Sequence, residues 1–76
     1  MREAIELIVK SLVDDPDAAD VREVDRSGVT LIEVRVAQPD VGKIIGKQGR
    51  TIRALRSIAR IAGAKQNRRF LLEIVE

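Results

Sequence analysis

The chain has 76 residues and a mass of 8.4 kDa, which leaves room for one domain. Apolar residues make up 45% and charged residues 34%, the balance of a soluble globular protein, and no apolar stretch approaches the ~20 residues of a membrane span. The absence of Cys and His removes disulfide frameworks, thiolate metal sites and the commonest general base, and with them most hydrolase, protease and zinc chemistry. The opening Met-Arg-Glu-Ala-Ile-Glu carries acids where a secretory signal has basic and then apolar residues, so a cytoplasmic location without membrane attachment is expected.

The net charge of +2 hides an asymmetry. Residues 1–40 carry five Lys/Arg against ten Asp/Glu, and residues 41–76 carry nine against two. All nine of those cations lie between Lys43 and Arg69, with no acid among them. A one-sided field of this kind attracts polyanions, although a solvated helix face has the same composition. Phe70 is the only aromatic residue. Platforms that stack bases on several aromatic rings are therefore excluded, and any nucleic-acid site must work through backbone amides, charge and aliphatic contacts.

In chain order, residues 3–13 repeat apolar side chains at helical spacing, with Ile5, Ile8, Val9 and Leu12 as the buried stripe and Leu7 and Val13 off it. Asp14-Asp15-Pro16 stops that helix. Asp14, Asp15, Asp17 and Asp20 lack the glycine and closing glutamate of a calcium loop, and read as a solvated turn. Residues 21–26 form a weak edge strand, Ser27-Gly28 a tight hairpin turn, and residues 29–37 a strand with Ile32, Val34 and Val36 on one face. Asp40 is placed as the N-cap of a short helix over residues 41–45. After Gly46-Lys47-Gln48-Gly49, residues 50–62 form a helix that buries Ile52, Leu55, Ile58, Ala59 and Ala62. Its opposite face carries Arg50, Arg53, Arg56 and Arg60, and Gly63 is the expected C-cap. Residues 65–68 make a polar loop, and Phe70, Leu72 and Ile74 alternate in a last strand. The order α-β-β-α-α-β, with two helices between the second and third strands, suits a parallel crossover. The fold class is α+β, a three-stranded mixed sheet covered on one face by three helices.

The chemistry concentrates in residues 41–52. Glycines at both ends of a four-residue bend admit a sharp turn and the close approach of a bulky backbone. The helix that follows presents its N-terminal amides and positive dipole end. Lys47 sits at the tip, with Lys43, Arg50 and Arg53 beside it. Such a bend is a clamp for a sugar-phosphate backbone. A Walker A loop needs four residues between its glycines followed by Lys and Ser/Thr, whereas Gly42 and Gly46 enclose three and Gln48 follows Lys47. The dinucleotide Gly-x-Gly-x-x-Gly spacing is absent too. No acid–base pair or nucleophile lies near the loop, so the chain is not expected to be an enzyme and needs no metal or cofactor.

Ile44-Ile45-Gly46-Lys47-Gln48-Gly49-Arg50-Thr51-Ile52 resembles the signature of a KH domain, and the helix and two strands ahead of it resemble the type II arrangement. The Asp14-Asp15-Pro16 turn, the stretch from Val41 to Arg50 and the ending Glu73-Ile74-Val75-Glu76 extend the likeness to the small bacterial KhpA family over nearly the whole chain. That resemblance implies sequence-tolerant binding of single-stranded RNA. Gly46, Lys47, Gln48 and Gly49 would clamp about four nucleotides, aided by Lys43, Arg50, Arg53 and Ile45. It also implies dimerisation, with itself or with a larger KH partner resembling KhpB, and a role as a chaperone in post-transcriptional control of cell growth, division and shape. An adaptor that keeps the KH fold mainly for protein partners is the alternative. Lys65, Arg68 and Arg69 either flank the far side of an RNA groove or form a plain polar loop. Ile44, Ile45 and Ile52 belong to the core first and to a groove second. Val29, Leu31, Leu71 and Val75 are expected as an apolar strip on the open sheet face.

Overall fold

A computed structural model describes residues 2–75. The elements are α1 (Arg2–Leu12), β1 (Asp20–Arg26), β2 (Val29–Arg35), α2 (Val41–Ile45), α3 (Arg50–Lys65) and β3 (Arg69–Val75), in the order read from the sequence. The sheet runs β1-β2-β3, with β1 antiparallel and β3 parallel to the central β2. Ser27 and Gly28 both take positive φ at the hairpin, the backbone whose twist matches the two flanking strands. Among the described residues no helix is long and apolar enough to cross a membrane.

Period-two alternation decides which sheet face is covered. Thr30, Ile32 and Val34 of β2, Val21 of β1, and Phe70 and Leu72 of β3 are buried beneath the helices. Ile5 and Val9 of α1, Ile44 of α2, and Ile52, Leu55 and Ala59 of α3 complete the core. Burying one such side chain stabilises the fold by about 1.5–3 kcal/mol. On the open face Val24, Leu31 and Leu71 share one row across all three strands, with Leu71 the most exposed of the three. Of the expected strip, Leu31 and Leu71 pair in this row with Val24, half-buried Val29 lies one row away, and Val75 is set apart by the Glu33–Glu73 row.

The α1 stripe differs from expectation. Val13 is buried and Leu12 is exposed, because the Val13 amide bonds to Val9 O and carries the i, i+4 series of Ile5 and Val9 one step past the helix. Gly63 is likewise not the cap of α3. The helix continues to Lys65, and Asn67 closes it at φ 54, with Arg68 N–H donating to Gly63 O and Asn67 N–H to Ala64 O. That is the left-handed cap with asparagine in the usual place of glycine. Gly63 is required by close approach instead: a Cβ there would sit 2.7 Å from Arg68 O and 3.1 Å from Phe70 N. Ile58, expected in the core, is exposed for the same reason, since the buried face of α3 runs through Ile52, Leu55, Ala59 and Gly63.

Two polar ties fasten the loops. At one end of the sheet the buried Thr30 hydroxyl donates to Asp25 Oδ1 (2.6 Å), while Arg68 Nη2 donates to both Asp25 Oδ1 (3.0 Å) and Thr30 Oγ1 (2.9 Å). Arg68, which also lies over the Phe70 ring, thereby pins the start of β3 to the hairpin. At the other end Asp40 occupies the N-cap position of α2 without capping it. Its carboxylate instead accepts the backbone N–H groups of Asp14 (3.2 Å) and Asp15 (3.1 Å), 25 and 26 residues away, and lashes the turn after α1 to the start of α2. Burial opposes ionisation of Asp40, but those two amides and the Lys43 ammonium outweigh it and hold the carboxyl below its usual range.

A group with a depressed folded-state pKa contributes stability above its unfolded pKa and loses it as pH falls through the folded one. Asp40→Asn is therefore expected to lower the thermal midpoint at neutral pH. Its gap from the parent chain should close as pH drops below about 4, read by circular dichroism melts across pH. A gap that ignores pH would contradict an ionic tie.

Candidate nucleic-acid interface

The bend between α2 and α3 is set by Gly46. Its φ of 76° and ψ of 171° lie in a region essentially closed to other residues, and a Cβ there would come within 2.9 Å of Thr51 N. The chain then passes through Lys47 to Gln48, a non-glycine residue at φ 57°, and Gly49 at φ 73°. Lys47 and Gln48 are exposed.

Hydrogen bonding decides which amides face out. Gly46 N–H donates to Gly42 O (2.9 Å), Gly49 N–H to Gly46 O (3.1 Å) and Arg50 N–H to Lys47 O. The carbonyls of Gly46 and Lys47 thus turn inward, and in trans peptides the N–H groups on the same planes, those of Lys47 and Gln48, turn the other way. Two of the four loop amides are committed inside the loop, and two point outward. Among the described residues the N–H groups of Gly46 and Gly49 are thus already bonded, to Gly42 O and Gly46 O, while those of Lys47 and Gln48 enter no backbone bond of the loop.

Arg53 explains why the loop holds this form. Its Nε donates to Gly49 O (3.2 Å) and its Nη2 to Gln48 O (2.7 Å), so the guanidinium reaches back under the bend as a strut. Lys43 is also committed. Its ammonium bonds the Asp14 carboxylate and lies 3.5 Å from Asp40 Oδ1. The bond to Asp14, with the charge of both acids, holds it above the usual lysine range despite partial desolvation. Lys43 and Arg53 support the loop, and among the described residues Lys47 and Arg50 are its cations without an ion pair or side-chain hydrogen bond. Beside them Ile45 is 40% exposed, while Ile44 and Ile52 are buried core residues.

From the loop, one edge of α3 carries Arg53, Arg56 and Arg60 at i, i+3 and i+7 toward the free edge of β3. Arg56 Nε donates to Leu72 O (3.3 Å), and Arg56 and Arg60 line a cavity of about 240 Å³ with Phe70, Leu71, Leu72 and Glu73. The expected arginine face is therefore one wall of a groove, whose other wall is an unpaired strand edge. The sequence showed the arginines, but the edge strand that faces them emerges only from the sheet order.

The family model described as KhpA/KhpB, KH domain, matches residues 2–74. The RNA-binding protein KhpA of Clostridium acetobutylicum is 44% identical over 75 residues, covering 99% of this chain and all of the relative. That of Borreliella burgdorferi is 49% identical over 74 residues, 97% of this chain and 90% of the relative. That of Chlamydia pneumoniae is 43% identical over 76 residues, the whole chain and 97% of the relative. No solved structure matches the chain. With its α-β-β-α-α-β order on a mixed sheet, the arrangement of a type II KH fold, the chain belongs to the KhpA/KhpB family of KH domains.

Proposed function

We propose that this chain is a non-catalytic, single-stranded RNA-binding protein whose loop from Gly46 to Gly49 clamps the sugar-phosphate backbone. The outward pair of amides at Lys47 and Gln48, beside the uncommitted charges of Lys47 and Arg50, carries this reading. The relatives' names, RNA-binding protein KhpA, support the ligand class. Ile45 offers an aliphatic contact to a base, and Glu73 and the β3 edge offer acceptors to base amino groups. Selectivity among bases is low in such a site. No aromatic ring supplies the ~1–3 kcal/mol per base that stacking contributes elsewhere, so one copy binds weakly. On the family likeness, the cellular role is cytoplasmic, post-transcriptional control of growth, division and shape.

Lys47→Asp with Gln48→Asp is expected to abolish binding to single-stranded RNA while leaving the thermal midpoint nearly unchanged, because both side chains are exposed. In the parent chain three or four neutralised phosphates give a log–log salt slope of roughly −2 to −3. Unchanged affinity in the double variant would end this reading.

Exposed aliphatic side chains favour a second, compatible role in self-association. Ile58 and Ile61 (57% exposed) stand with Ala54 along the side of α3 that turns away from Arg56 and Arg60, an uncharged strip with a small residue at one end. We propose that a second copy of this chain covers it, helix against helix, which leaves both arginine edges open and couples two weak RNA sites. Sedimentation is expected to show a dimer that Ile58→Asp with Ile61→Asp turns into a folded monomer, with RNA affinity falling tenfold or more. A monomeric parent chain would overturn the homodimer. Capture of a larger, KhpB-like KH protein by the same strip would do so in favour of a heterodimer.

A further inference from the structure

All four carbonyls of the bend are met by donors. Gly46 O and Lys47 O accept backbone N–H groups, those of Gly49 and Arg50. Gln48 O and Gly49 O accept from one side chain, Arg53, through Nη2 at 2.7 Å and Nε at 3.2 Å. Those two nitrogens belong to one planar guanidinium, so a single rigid fork spans two successive carbonyls. Arg53 is exposed and enters no ion pair among the described residues, and these carbonyls are the polar groups it engages.

The fork grips the residue that most needs holding. Gln48 takes φ 57° and ψ 26°, left-handed backbone that a residue with a side chain rarely keeps without support. Its φ and ψ set the angle between two peptide planes, the one that carries its own N–H and the one that carries its carbonyl. Fixing the carbonyl beneath the bend therefore fixes the direction of the N–H. If Gln48 relaxed to right-handed or extended backbone, the amides of Lys47 and Gln48 would no longer both face out. A lysine in place of Arg53 would keep the charge and lose the fork, since it carries one nitrogen instead of a planar set of donors.

We infer that Arg53 is a positioning residue of the RNA clamp, which acts on phosphate through the backbone of Gln48 and not as a phosphate ligand. The inference rests on the proposed RNA-binding function and names the side chain that prepares its site. A cation at the mouth of such a bend reads first as a ligand, and the two hydrogen bonds to the loop's own carbonyls assign this one to the loop instead. The free chain thus already holds the form that RNA needs, and binding does not bear the cost of ordering it.

Two measurements on the whole chain test this: fluorescence anisotropy with a labelled short single-stranded RNA across salt concentrations, and amide shifts of the RNA-free ¹⁵N-labelled protein. Arg53→Lys is expected to weaken binding about tenfold while the salt slope stays that of the parent chain. In the free protein it should move the amide shifts of residues 47–50 and leave the interior of α3 in place. Adding Gln48→Gly, which removes the steric objection to left-handed backbone, should bring affinity back to within about threefold of the parent. That recovery separates a displaced loop from a misfolded protein. An Arg53→Lys chain that binds as tightly as the parent would show that charge alone matters at this position and would overturn the inference. So would a tenfold loss that leaves the free-chain loop shifts unmoved, or one that Gln48→Gly does not relieve, since both mark a lost contact with RNA. A parent chain that binds no single-stranded RNA would remove the proposed function, and the inference with it.

Discussion

The proposed RNA clamp depends on the orientation of two peptide planes, those joining Gly46 to Lys47 and Lys47 to Gln48. A peptide plane with its carbonyl turned inward must present its N–H outward, and here the inward carbonyls are each met by a donor, Gly49 N–H and Arg50 N–H. That arrangement exists only because Gly46 adopts a conformation denied to side chains, and because Arg53 holds the next two carbonyls beneath the bend. In a chain with a single, buried aromatic ring, no stacking platform could substitute for those amides.

The rest of the fold supplies a frame for that bend. Asp40 ties the turn after α1 to the start of α2, and Ile44 fastens α2 into the core, so the residue before Gly46 enters the loop from a fixed direction. On the other side Ile52 and Leu55 seat α3 on the sheet. α3 has three working sides. One is core, one carries Arg53, Arg56 and Arg60 toward the β3 edge, and one carries Ile58 and Ile61 into solvent. Under the proposed roles, the polyanion and the protein partner would meet different sides of this helix, neither covering the other.

Local signals in the sequence located most of this. Strand alternation in β2 and β3, the hairpin at Ser27-Gly28 and the two-glycine bend each depend on neighbours within a turn or two and lie where the pattern puts them, as does the α3 stripe except at Ile58. What stayed hidden depends on contacts across the chain. Asp40 looks like a helix cap by position, yet its partners are amides 25 and 26 residues earlier. Lys43 looks like a free phosphate ligand, yet the same fold places Asp14 against it. Gly63 looks like a stop signal, and only the return of Arg68 and Phe70 beside it reveals a packing requirement. Val13 shows the same limit in the core, since a one-residue extension past α1 exchanges it with Leu12.

Amide chemical shifts measure the central claim most directly. On titration of the ¹⁵N-labelled chain with a short single-stranded RNA, the largest shifts should fall on the N–H groups of Lys47 and Gln48, while those of Gly46 and Gly49, already bonded within the loop, move less. Shifts confined to the open sheet face or to the Ile58 side of α3, with the loop amides unmoved, would contradict it.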